Sequence, residues 1–217
     1  MGDVKTFHEL VKQGDLEGVR AALRNDQSLL EATNEAGQTA FLLAKYYRQP
    51  QIADHLLSLN PKLDIFQNCA AGRTEVALNQ IDREPELLEK HSSDGWTPLH
   101  LAAFFGNAEL AKGLLNRGAA IEARSTNSMA NTPLHAAAAG ANLAVIELLL
   151  EHGADANARQ HGGWTALHAA AQTGNRKMAE LLLAHGAHKY VQAENNQTPL
   201  DMALLHGRAE LVPLLES

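Results

Sequence analysis

Three histidines recur in one setting: His100 in "TPLHLAA", His135 in "TPLHAAA" and His168 in "TALHAAA". Imidazole nitrogens are common metal ligands, so the recurrence raises the question of a shared ion. Geometry answers against it. Each histidine stands just inside a separate helix, and packed helices lie about 8–10 Å apart, whereas a common ion needs every ligand within about 2 Å. These histidines are therefore expected to serve structure. His185 and His188 in "HGAH", with His161 near them, read as exposed loop residues. "HELVK" at His8 starts like a zinc-protease helix, but Lys12 stands where the second histidine is needed. Cys69, the only cysteine, sits among small residues on a short helix and is expected to be a buried, inert thiol. No Gly-x-Ser-x-Gly elbow, phosphate-cradling loop or Gly-x-Gly-x-x-Gly is present. The sequence thus predicts no catalytic residue, no metal and no cofactor.

The elements that carry the histidines repeat as well. In "DGWTPLHLAAFFGN", Thr97 is suited to cap a helix, Pro98 to its first turn, and Gly106 to the left-handed stop. About eight residues of helix lie between. At about 100° per residue, Leu99, Ala102 and Ala103 share one face, and Leu101, Phe104 and Phe105 fall opposite. Such a helix needs a partner on each side. The stretch returns as "NTPLHAAAAGAN", "WTALHAAAQTGN" and "QTPLDMALLHGR", with a weaker copy, "QTAFLLAKYYRQ", from Gln38. Thr97, Thr132, Thr165 and Thr198 are spaced 35, 33 and 33 residues apart. A second apolar-periodic helix follows each, ending near Gly118, Gly153 and Gly186.

From Thr39 to Thr97 is 58 residues, less than two such periods. The segment from Gly14 aligns without a gap on that from Gly72, so Glu17 meets Glu75 and Leu29–Leu30 meets Leu87–Leu88. Both lack the Thr-Pro-Leu-His opening. The period, the "TPLH" and "TALH" openings and "GADANA" resemble the ankyrin repeat, two helices and a β-hairpin finger in about 33 residues. The resemblance implies an all-α solenoid filling 1–217 as one domain, with short hairpin fingers. Seven repeats are expected at approximately 1–33, 34–64, 65–91, 92–126, 127–159, 160–192 and 193–217. Within that family the recurrent histidine bonds inside its own turn. The sequon at Asn196 is better read through Thr198, as a helix cap.

Composition narrows the function. The net charge of −7 is spread along the chain: 10 Lys+Arg against 14 Asp+Glu over 1–91, and 8 against 11 over 92–217. Without a basic stripe, nucleic acid is not an expected partner. No apolar run approaches the roughly 18 residues of a membrane span. "MGDVKTFHEL" lacks a signal peptide's apolar core, and its loose match to a myristoylation signal at Gly2 is weakened by Asp3. A single cysteine and no secretion signal predict a cytoplasmic, reducing location.

The resemblance implies a protein partner, unidentified, held by the concave face: the exposed ends of the first helices and the finger tips. The chain would then be an adaptor, scaffold or inhibitor and not an enzyme. Just before the helix stops stand Phe104 and Phe105 in the fourth repeat, Tyr46 and Tyr47 in the second, and Ala70 and Ala71 in the third. The expected groove has the aromatic pairs as walls, extended by Leu43 and Leu101, and the alanines as floor. Trp96, Met129, His161 and Trp164 would form the rim, with Arg124 and Arg159 just beyond it. Two alternatives stand beside this reading: a structural homo-oligomer through the terminal repeats, with weak self-association at the C-terminal one, where Leu211, Leu214 and Leu215 surround a Pro213 expected to break the helix, and, ranked last, a metal-dependent enzyme.

Overall fold

The computed structural model describes residues 4–216. The chain divides into two compact units, Met1–Ala71 and Gly72–Ser217, and the architecture is that of an all-α repeat solenoid. Gly2 lies outside the described residues.

The first unit contains α1 (Val4–Gln13), α2 (Leu16–Asn25), α3 (Ala40–Tyr46), α4 (Pro50–Ser58) and α5 (Ile65–Ala71). Here α3 packs against α1, α4 and α5, while α2 packs against α1 and α4. Phe7, Val11, Phe41, Ile52 and Leu56 fill the core. Arg48, nine residues after Thr39 as Gly106 is after Thr97, takes the left-handed backbone of that glycine all the same, at φ 54°.

The second unit contains α6 (Thr74–Arg83), α7 (Pro98–Phe104), α8 (Ala108–Leu115), α9 (Pro133–Ala139), α10 (Leu143–Glu151), α11 (Ala166–Thr173), α12 (Arg176–Ala184), α13 (Pro199–Leu205) and α14 (Val212–Glu216). Two rows form. The helices α7, α9, α11 and α13 pack in succession, and α6, α8, α10 and α12 pack behind them. Small residues let the front row close up: Ala102, Ala103, Ala136, Ala137, Ala170 and Ala171 are all fully or almost fully buried. Leu99, Leu134, Leu149 and Leu167 supply the apolar bulk between the rows.

The ungapped alignment of the two irregular segments is matched in structure. Both α2 and α6 are followed by a 3-10 turn, Gln27–Leu30 and Pro85–Leu88, which stand 58 residues apart just as the helices do. Leu29 and Leu87 are buried beneath these turns. The expected hairpin fingers contain no strand among the described residues; an isolated bridge joins Thr33 and Thr39. The connectors of the second unit are tight turns instead. Single backbone bonds close them, Ser92 N–H to Trp96 O at 2.9 Å and Gln160 N–H to Trp164 O at 2.9 Å among them. Further backbone bonds link successive turns, from Thr126 N–H to Gly95 O (2.9 Å), His161 N–H to Met129 O (2.8 Å) and Glu194 N–H to Gly162 O (2.9 Å). Pro213 does not break the last helix. It occupies the first turn of α14, where a missing N–H costs no hydrogen bond.

Candidate functional site

The "TPLH" residues build the frame on which a surface can sit. The Thr97 N–H donates to His100 Nδ1 at 3.3 Å, and the same pairing recurs at Thr132–His135 (3.3 Å) and Thr165–His168 (3.2 Å). With Nδ1 accepting, the proton resides on Nε2, which donates to the turn ahead of the next front-row helix: Asn131 O (2.9 Å), Trp164 O (3.1 Å) and Gln197 O (3.1 Å). Each histidine thus caps its own helix and ties it to the following turn. Burial favours the neutral ring, pulling the pKa of His100 and of His135 down to about 4, and that of His168 down as well. In α13 the histidine is replaced by Asp201, which accepts from Thr198 N–H at 2.8 Å while Thr198 Oγ1 accepts from Asp201 N–H at 3.2 Å, closing a reciprocal cap. Among the described residues no group of three or more His, Cys, Asp or Glu is disposed to hold a metal.

One cap and one counterpart of the recurrent histidine escaped the sequence reading. Asp64 and Gln67 form a reciprocal box at the start of α5: Asp64 Oδ1 accepts from Gln67 N–H (2.8 Å), and Gln67 Oε1 accepts from Asp64 N–H (3.1 Å). The signal was the Asp-x-x-Gln spacing in "DIFQ". His8 precedes the left-handed Gly14 by six residues, as His100 precedes Gly106, and so is the first unit's version of the recurrent histidine. It is buried, yet neither ring nitrogen reaches a hydrogen-bond partner.

On this frame the second unit carries an aromatic cluster. The rings of Trp96 and Phe104 meet edge to face with centroids 5.0 Å apart, and Phe104 meets Phe105 likewise at 5.1 Å. Trp96 also leans over His100, at 6.1 Å. All three aromatic residues are half-buried. The neighbouring helix end presents only exposed Ala139 and half-buried Gly140. Gly140 is required there, since a Cβ would lie 2.3 Å from the Phe104 carbonyl oxygen. Asn142 fixes the junction, its amide donating to Ala103 O at 2.9 Å and Phe104 O at 2.7 Å. The result is an aromatic ridge beside a shelf of small residues.

The other expected contacts sort by exposure. In the first unit Tyr47 is 52 % exposed, with the Lys12 ammonium 5.8 Å from its ring centre, and Tyr46 and Ala71 are half-buried. Leu43, Ala70 and Leu101 are core residues at 1–2 % exposure. They cannot act as walls or floor, because the neighbours packed around these short helices cover them. Met129 and His161 are exposed on the turns, and Trp164 is half-buried against His168 at 5.4 Å. Arg124 and Arg159 spend donors on structure: Arg124 on the carbonyls of Ala130 and Arg159, Arg159 on that of Gln192.

Several residues lie where the sequence did not point. Leu204 and Leu205, at the end of α13, are 59 % and 66 % exposed, whereas Leu211 and Leu215 are fully buried. The most exposed apolar surface of this repeat is therefore at the end of α13, while Val212 and Leu214 of the final segment are half-buried. Cys69 is buried as expected, its thiol pKa pushed up to about 12 by desolvation, far from the thiolate that a nucleophile needs.

Comparison with known families accords with this frame. A family model described as ankyrin repeats matches the chain in three copies, at residues 7–125, 66–160 and 155–217. A search of curated proteins finds no significant match. Among the described residues no helix is long and apolar enough to cross a membrane.

Proposed function

Because this chain belongs to the ankyrin repeat family, whose repeats are generally protein–protein interaction modules, we propose that it recognises another protein noncovalently through the ridge of Trp96, Phe104 and Phe105. The observation that carries this reading is the half-exposed edge-to-face cluster beside the Ala139–Gly140 shelf. Aromatic rings held rigid before binding lose little entropy on contact, and a neighbouring shelf of small residues leaves room for an apolar side chain of the partner. Met129 and His161, on the successive turns, would extend the contact. Tyr46, Tyr47 and Ala71 are candidate contacts of the first unit. The role is that of an adaptor, scaffold or inhibitor.

The test is retention of a partner from the source cell's lysate by the wild type and by a Phe104→Ser, Phe105→Ser variant shown by circular dichroism to be folded. Loss of about 2 kcal/mol for one central aromatic, near thirtyfold in affinity, is the expected scale. Equal retention by both proteins sinks the assignment. A second reading, self-association, is favoured by the exposure of Leu204 and Leu205. It predicts a concentration-dependent mass that Leu205→Ser abolishes and the Phe variant leaves alone.

A further inference from the structure

We propose that a cavity of the first unit, formed by α2, α4 and the 3-10 turn after α2, binds a small organic phosphate. The cavity measures about 380 Å³ and is lined by Arg20, Leu23, Arg24, Gln27, His55 and Leu59. Its lining includes two arginines and no acidic residue, in a chain with 25 acidic against 18 basic residues, and among the described residues only Arg20 of the two has an ion pair, with Glu17 beside the cavity. Three separate elements supply the polar groups: Arg20 and Arg24 come from α2, Gln27 from the turn and His55 from α4.

The arginines stand four residues apart on one helix, a spacing at which like charges repel. Glu17 relieves Arg20 through an ion pair at 2.7 Å. Arg24 lies in the last turn of α2, where a cation suits the helix's negative end. That explains one arginine in isolation. It does not explain why a second arginine, a histidine and a glutamine border the same space.

Phosphate does. A guanidinium presents paired N–H donors that match two phosphate oxygens, and the Gln27 amide and the His55 ring can serve the third. A carboxylate has only two oxygens to offer this donor set. Leu23, buried in the wall, and Leu59, 37 % exposed at the rim, provide apolar contact for the organic part. The volume lies near the lower end of small-molecule sites, about 300–1,000 Å³, which suits a phosphomonoester with one ring or a short chain.

Phenyl phosphate is the probe, titrated into the full chain at low salt and followed by the NMR signals of the Arg24 side chain and the His55 ring. Saturable shifts with a Kd below about 1 mM are expected. Inorganic phosphate and benzoate should each bind at least tenfold more weakly, and Arg24→Gln and His55→Gln should each weaken phenyl phosphate by tenfold or more while the backbone spectrum stays folded. Absence of saturation by about 20 mM overturns the site, as does undiminished binding by both variants. Benzoate binding as tightly as phenyl phosphate overturns the phosphate assignment.

Discussion

At the scale of single residues, the histidines of the second unit make its stability a function of pH. In the folded state His100 and His135 resist protonation until about pH 4, whereas an unfolded histidine titrates near 6.5. Between those values the unfolded chain binds more protons, so stability is complete above about pH 6.5 and falls as the pH drops towards 4. Protonating Nδ1 would also end its acceptance of the threonine N–H. Each of these two histidines should withdraw about 2 kcal/mol by pH 5, before most carboxylates titrate. Urea unfolding at pH 7.5 and pH 5 measures this, and His135→Gln should shrink the difference by that amount. An unchanged difference would show that the folded imidazole is protonated without cost.

The helices and their ends display a sharper contrast, between neighbouring residues. Gly140 has an ordinary φ of −76° but no room for a side chain, because the Phe104 carbonyl is too close. Ala141 has a side chain but a left-handed φ of 55°, which glycine adopts without strain. Gly140→Ala should therefore destabilise by about 1–3 kcal/mol through overpacking, while Ala141→Gly should stabilise by about 0.5–1 kcal/mol. Thermal unfolding of the two variants decides, and equal signs would contradict this account of the junction. The regular elements were legible in the sequence, since Thr97, Pro98 and Gly106 act through local rules and mark α7 unaided. The Asp64–Gln67 cap was legible in principle but hidden by its different letters. The burial of Leu43 and Leu101 was not legible. A seven-residue helix with apolar residues all round gives no face to prefer, and only its packed neighbours reveal which are covered.

Across the molecule, stability in a repeat array is a sum of repeat and neighbour terms, so regions with fewer ties should open first. From the sequence, the stretch without a Thr-Pro-Leu-His opening is expected to be the weaker part. The structure gives that expectation a physical content. Residues 130–190 are crossed by His135 to Trp164 O, His168 to Gln197 O, His161 N–H to Met129 O, and Arg159 to Gln192 O. Residues 35–90 contain a longer-range bond from Gln67 to Thr39 Oγ1 at 3.1 Å, but the position of the capping histidine is taken by Leu42, which cannot bond to the next turn. The Asp64–Gln67 box caps α5 and, through Gln67 Nε2, also reaches the cap of α3, so it ties two helix starts without linking a turn to the next turn. Hydrogen exchange of the full chain is the measurement: amides in α3 to α6 should exchange before those in α9 to α12, with a gap that narrows at pH 5 as the histidine ties weaken. Equal protection at neutral pH would mean that apolar contact between helices, and not the chain of turn bonds, sets the order of opening.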